Sequence, residues 1–101
     1  MANQSVEIKV DADPIRDRFP DEGVNVHRFR AARSGRYVIE VRSRFIGVMT
    51  QVEREDPRVI LHEYALGSPP PMMLDPAIYL VEVKSWRGNS LPYSLSVRFE
   101  A

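Results

Sequence analysis

The chain contains no cysteine. That excludes a disulfide framework, a thiolate nucleophile and a thiolate metal site together. Histidine is nearly as scarce: His27 and His62 are the only two. There is one tryptophan, Trp86. No apolar run approaches the roughly 18 residues of a membrane-spanning helix, so no membrane insertion is expected. The N-terminal MANQSVEIKV lacks the basic and apolar regions of a signal peptide. The expected setting is therefore an intracellular or virion component, or a domain excised from a secreted protein. The formal net charge is zero, and without a basic excess no nucleic-acid partner is expected.

At 101 residues, with 44% hydrophobic and 28% charged side chains, the chain is read as one domain spanning residues 1–101. A chain of this size buries roughly 60–70% of its unfolded surface, enough for a core without metal or disulfide. Its charge is unevenly placed. Residues 7–22 carry Glu7, Asp11, Asp13, Asp17, Asp21 and Glu22 against Lys9, Arg16 and Arg18, while residues 23–50 carry Arg28, Arg30, Arg33, Arg36, Arg42 and Arg44 against Glu40 alone. Twelve of the fourteen basic residues are arginine. A biased genome accounts for that, and so does a requirement for planar, bidentate contacts with carboxylates or phosphates.

Period-two alternation of apolar residues dominates the chain, and no helical stripe is present. Val6, Ile8 and Val10 predict a first strand, followed by DADPIRDRFPDEG as a long acidic loop. VNVHRFRA and RYVIEVRSRF read as a hairpin joined by RSG. His27 and Phe29 then face inward with Tyr37, Ile39 and Val41, while Arg28 and Arg30 face outward with Val38, Glu40 and Arg42. One allowed register sets Arg28 opposite Glu40, a pair worth about 0.2–1 kcal/mol. A shift by two sets Val26 there instead. IGVMTQVER and RVILHEYAL are two further strands, with Ile46, Val48, Thr50 and Val52 on one face. MML is either a short strand or a plug. AIYLVEVKS and LPYSLSVRF read as a closing hairpin around the turn SWRGNS. Seven or eight short strands punctuated by Pro and Gly predict an all-β, two-layer antiparallel β-sandwich, jelly-roll or Greek-key in type.

The ordered motifs Asn25-Val26-His27-Arg28-Phe29, Gly35-Arg36-Tyr37, Ala77-Ile78-Tyr79-Leu80-Val81-Glu82-Val83 and Tyr93-Ser94-Leu95-Ser96-Val97 resemble the bacterial pre-peptidase C-terminal domain. In that family the corresponding strands run Asp-x-Tyr-x-Phe, Gly-Tyr or Arg-Tyr, Gly-Thr-Tyr-Tyr-Val-x-Val and Tyr-Thr-Leu-x-Val. Here Asn25 stands for the Asp, His27 for an aromatic, and Ala77-Ile78 for Gly-Thr. The resemblance implies a jelly-roll-like sandwich without catalytic activity. Its relatives sit behind secreted peptidases, and some bind polymers such as collagen. Calcium sites occur in collagen-binding relatives, but their ligands find no matched positions in this chain.

No nucleophile, base and orienter are patterned together, and Ser34, Ser43 and Ser90 lack an elbow or oxyanion signature, so an enzyme is not expected. His27 is expected as a satisfied core histidine. His62 and Glu63 point to opposite faces of one strand. No cofactor is expected; Ca²⁺ at the 11–22 acidic loop is the alternative to a solvated loop, although the spacing is not that of an EF-hand. The partner-binding candidates are Arg28, Arg30, Arg42, Ile78, Leu80, Trp86 and Arg87. Trp86 either stacks on a sugar or caps the core. Ile78 and Leu80 face outward, either as an interaction patch or beneath a covering loop. Two functions fit: a module binding a protein or polymer surface, or a structural subunit of a virion or other large assembly. In the second, acidic residues 7–22 of one copy would meet the Arg-rich residues 23–50 of the next.

Overall fold

A computed structural model describes residues 2–4, 6–44, 47–85 and 91–101 of the chain. Where apolar and polar residues alternate, strands form and turn the apolar set inward. Nine strands lie among the described residues: β1 (Ala2–Gln4), β2 (Ile15–Arg18), β3 (Val24–Ala31), β4 (Gly35–Ser43), β5 (Val48–Arg54), β6 (Val59–Leu66), β7 (Met72–Leu74), β8 (Ala77–Ser85) and β9 (Pro92–Phe99). They make a five-stranded sheet A, ordered β1-β3-β8-β5-β6, and a four-stranded sheet B, ordered β2-β9-β4-β7. The architecture is the expected jelly-roll-like β-sandwich. All its pairings are antiparallel except β1 with β3, which is parallel.

The core lies between the sheets. Phe29, Tyr79, Val81, Val83 and Val52 from sheet A meet Tyr37, Ile39, Tyr93, Leu95 and Val97 from sheet B. Burying each large aliphatic side chain favours the fold by about 1.5–3 kcal/mol. At the centre, Phe29 stacks on Tyr79 with ring centroids 5.5 Å apart, and Tyr37 meets Phe99 edge-on at 5.0 Å.

Two expected hairpins are not formed. β3 and β4 belong to different sheets, and so do β8 and β9. Arg28 stands opposite Leu80, and Glu40 stands opposite Ser96, so neither expected partner of Glu40 faces it. The chain therefore changes sheets between β3 and β4 and between β8 and β9, and among the described strands only β5 and β6 are sequence neighbours that pair. Two tyrosines tie such crossings. The Tyr37 hydroxyl donates to the Arg33 carbonyl at 2.7 Å, and the Tyr79 hydroxyl donates to the Asp75 carbonyl at 2.7 Å. Each Tyr thus holds the carbonyl four residues before it, at the point where the chain changes sheets.

Other departures lie near the N-terminus. Residues 6–9 do not form the expected first strand. Ile8 donates one backbone bond to Arg28 and Asp11 donates one to Val97, because here the chain is passing from sheet A to sheet B. Ile8 is buried and Val6 exposed. The expected acidic loop is interrupted by β2, whose Ile15 and Asp17 lean inward while Arg16 and Arg18 face out. MML is a strand, β7, on the edge of sheet B. Val48, Thr50 and Val52 share the inner face as expected; Ile46 lies outside the described residues.

Candidate functional site

Polar groups at one end of the core arrange themselves first. β3 turns Asn25 and His27 inward, β9 supplies Tyr93, and β2 supplies Asp17. His27 is completely buried. Its Nδ1 lies 2.8 Å from the Val6 carbonyl and its Nε2 lies 2.6 Å from the Tyr93 hydroxyl. A carbonyl only accepts, so Nδ1 carries the proton and Nε2 accepts from Tyr93. Asn25 Nδ2 then donates to Tyr93 Oη at 2.9 Å and to the Arg18 carbonyl at 2.7 Å. Each of these donors and acceptors is partnered, which lets the group stay buried and neutral. Burial lowers the His27 pKa from its ordinary value, against the Val6 carbonyl and the Asp17 carboxylate, which raise it. Asp17 Oδ2 is 3.9 Å from Nε2. Burial likewise pushes the Tyr93 phenol up. Asn25 and His27, two of the three departures from the family pattern, thus serve one hydrogen-bond system.

Among the described residues no Ser, Thr or Lys side chain is hydrogen-bonded to His27. The chemistry of this system is that of a pinned joint between sheets, with one group that titrates.

The surface candidates divide between two faces. On the outer face of sheet A, Arg28 pairs across strands with Leu80, and Arg30 with Ile78. The row continues from Leu80 to Glu53 of β5 and Ile60 of β6. A shallow cavity of about 410 Å³ opens beside it, lined by Arg30, Ala31, Ala32, Pro76, Ala77 and Ile78. Arg28 is held by Glu55 at 2.7 Å. Ile78 and Leu80 are half-buried, so the patch is partly covered by its neighbours. Next to it lies a charged group that sequence reasoning missed. Glu53, almost fully buried, accepts from Arg58 at 2.7 Å, and Glu82 accepts from Gln51 at 2.8 Å. Lys84 sits 4.6 Å over the Tyr64 ring, and burial beside Glu82 and Glu53 pushes the Tyr64 phenol up. Glu53 and Arg58 flank a tight turn, which was the one available signal.

Arg42 is elsewhere. It projects from β4 on the outer face of sheet B, where it pairs with Glu40 at 2.8 Å. The single Arg-rich surface expected from the β3–β4 hairpin therefore does not exist, because those strands lie in opposite sheets. Nor are acidic and basic surfaces segregated, since β2 carries Arg16 into sheet B from within the acidic segment. Trp86 and Arg87 lie outside the described residues.

Among the described residues no three His, Asp or Glu side chains converge as metal ligands. Two acids of the 11–22 segment have other tasks: Asp11 Oδ1 accepts from the Phe99 amide at 2.9 Å, and Asp17 faces His27. His62 is half-buried on β6 opposite Val52, and its Nε2 has no partner among the described residues.

No family model matches the chain, and no curated protein matches its sequence. Solved structures do match. The pre-peptidase C-terminal domain of collagenase from Bacillus anthracis superposes with a TM-score of 0.70 at 20% identity, covering 94% of this chain and 96% of that one. The fold is that of a pre-peptidase C-terminal domain. Two periplasmic inhibitors of g-type lysozyme share it more distantly. PliG of Salmonella Typhimurium aligns at TM-score 0.58 and 15% identity, over 95% of this chain and 99% of that one. PliG of Aeromonas hydrophila aligns at 0.59 and 13%, over 97% and 100%. At such identities the likeness is one of architecture. On this fold the chain carries the buried His27 system and arginines divided between the two sheets. Among its described residues there is no helix, so no helix is long and apolar enough to cross a membrane.

Proposed function

We propose that the chain is a non-catalytic module that binds a protein surface through the outer face of sheet A. The observation that carries this is the adjacency of the Arg28–Leu80 and Arg30–Ile78 pairs, which sets two guanidiniums beside two aliphatic side chains next to a cavity. Arginine flanking apolar contact area is the composition of protein-binding patches. The absence of a convergent nucleophile and base among the described residues agrees with a binding role, as do the neighbours, a domain of a collagenase and inhibitors of a lysozyme.

The test is surface plasmon resonance of the purified chain over immobilised collagen and over g-type lysozyme, with Arg30→Glu and Leu80→Asp as variants. Saturable binding to either surface, weakened at least about tenfold by both substitutions, is the expected result. Binding of neither, or binding indifferent to both variants, overturns the reading.

A second reading, a subunit that assembles with copies of itself, is favoured by a different observation. β6 is an edge strand of sheet A, and Val59, Ile60, Leu61 and Leu66 along it are all exposed. An open edge with apolar side chains is a template for pairing with another strand. Sedimentation velocity over a wide concentration range decides this: a concentration-dependent oligomer is expected under the assembly reading, and a strict monomer removes it.

A further inference from the structure

The outer face of sheet B holds a second surface that the sheet A reading does not use. Arg16 of β2 stands opposite Ser94 of β9, and Ser94 stands opposite Arg42 of β4, so one row across three strands reads Arg-Ser-Arg. Arg44 follows β4 at the same end. Together with Ser43, Pro92, Tyr93 and Ser94, these three arginines line a shallow groove of about 400 Å³.

The charge of this groove is unbalanced. Arg42 is paired with Glu40 at 2.8 Å, but no carboxylate among the described residues pairs with Arg16 or Arg44. Elsewhere on the same face Arg36 and Arg98 share Glu100. The unmatched cations thus gather at one end of β9, flanking it. Strands two places apart in a sheet are separated by about 10 Å, which leaves a channel over β9 between Arg16 and the Arg42–Arg44 side.

We infer that this groove binds an extended peptide segment bearing carboxylates on alternate residues. Guanidinium forks pair with carboxylates bidentately, which suits a site whose free groups are arginines. Alternate residues of an extended chain place side chains on one face about 7 Å apart, and the long Arg and Glu side chains make up the difference from the roughly 10 Å between the channel walls. Among the described residues the lining offers no sugar-stacking platform, because the one aromatic ring there, Tyr93, is buried in the core. That favours an acidic peptide over an anionic polysaccharide.

The experiment is fluorescence anisotropy with a labelled Glu-Ser-Glu-Ser-Glu peptide, its glutamine counterpart, and a heparin oligosaccharide as competitor. The expected result is saturable, salt-sensitive binding of the glutamate peptide and none of the glutamine one. The Arg16→Gln, Arg44→Gln double variant weakens it at least about tenfold, as loss of charge-assisted pairs requires. Both arginines are exposed and outside the core, so the variant keeps its melting transition; Arg44→Gln alone, beyond the end of β4, is the second variant and reduces affinity in the same direction. Arg28→Gln with Arg30→Gln, on the other sheet, leaves binding unchanged, which separates this site from the sheet A reading. No saturable binding, equal loss in both double variants, or tighter binding of the oligosaccharide than of the peptide overturns the inference.

Discussion

The Tyr93 hydroxyl donates to Nε2 of His27 at 2.6 Å, joining residues 66 positions apart and linking sheet B to sheet A inside the core. The same hydroxyl accepts from Asn25. Its oxygen is therefore the hub of a system that only works with a neutral imidazole.

Stability should accordingly fall with acid. The unfolded imidazole titrates near 6.5, and burial lowers the folded value below that. Between the two, the unfolded state binds the extra proton, so stability is complete above about pH 6.5 and falls as pH drops, by up to about 1.4 kcal/mol per pH unit. Urea unfolding midpoints between pH 4.5 and 8, both about one to two units from the free value, measure it. His27→Phe flattens the profile below neutrality, and a slope unchanged by that substitution refutes the assignment.

His27→Phe alone strands the Val6 carbonyl and the Tyr93 hydroxyl, at a cost of about 1–3 kcal/mol. Pairing it with Tyr93→Phe removes the hydroxyl as well and recovers part of the loss. A double-mutant cycle on urea unfolding reads the coupling directly.

Tyr37→Phe and Tyr79→Phe each delete one hydroxyl bond to a crossing-loop carbonyl. Each is expected to destabilise by about 1 kcal/mol, and the two effects are expected to be coupled, because Ser34 Oγ of one crossing donates to Asp75 Oδ1 of the other at 3.3 Å and both rings pack on Phe29. Loss of both with no change in the unfolding midpoint would show that the crossings hold without them.

Gly35 opens β4 at φ +156°, and a Cβ there would lie 2.5 Å from the Phe99 ring. That ring is held by Tyr37 at its edge and by the Arg33 guanidinium 3.9 Å above it, so it has little room to yield. Gly35→Ala therefore costs about 1–3 kcal/mol by overpacking. Thermal unfolding of the variant beside Phe99→Leu, Gly35→Ala should recover part of it.

Ile60→Lys places a charge on the open β6 edge. If copies pair through that edge, the variant sediments as a monomer at concentrations where the parent chain associates, in line with the use of lysine to guard edges.

The faces of the strands were legible and their partners were not. In β3, β4, β8 and β9 the alternation alone predicts which side chains are buried, since pleating sends successive residues to opposite sides. It also carried the core histidine: His27 falls in phase with Phe29. But the same alternation is equally consistent with a hairpin and with a chain that crosses between sheets. The pattern after β3 and after β8 suits a hairpin turn, yet the next strand lies in the other sheet, which places Arg42 on the opposite side of the molecule from Arg28 and Arg30. β2 was hidden because its four residues, IRDR, contain a single apolar side chain.

What the sequence determined by itself was therefore local: the positions of the longer strands, β3 to β6, β8 and β9, the inward set, the sandwich class. Tertiary structure decided every relationship between strands, including the Arg16–Ser94–Arg42 row and the Asn25–Tyr93–His27 bonds. The physical reason is that pleat and burial act on each strand separately, whereas pairing depends on which neighbour best completes the ladder and the core, and the local pattern carries no label for that neighbour.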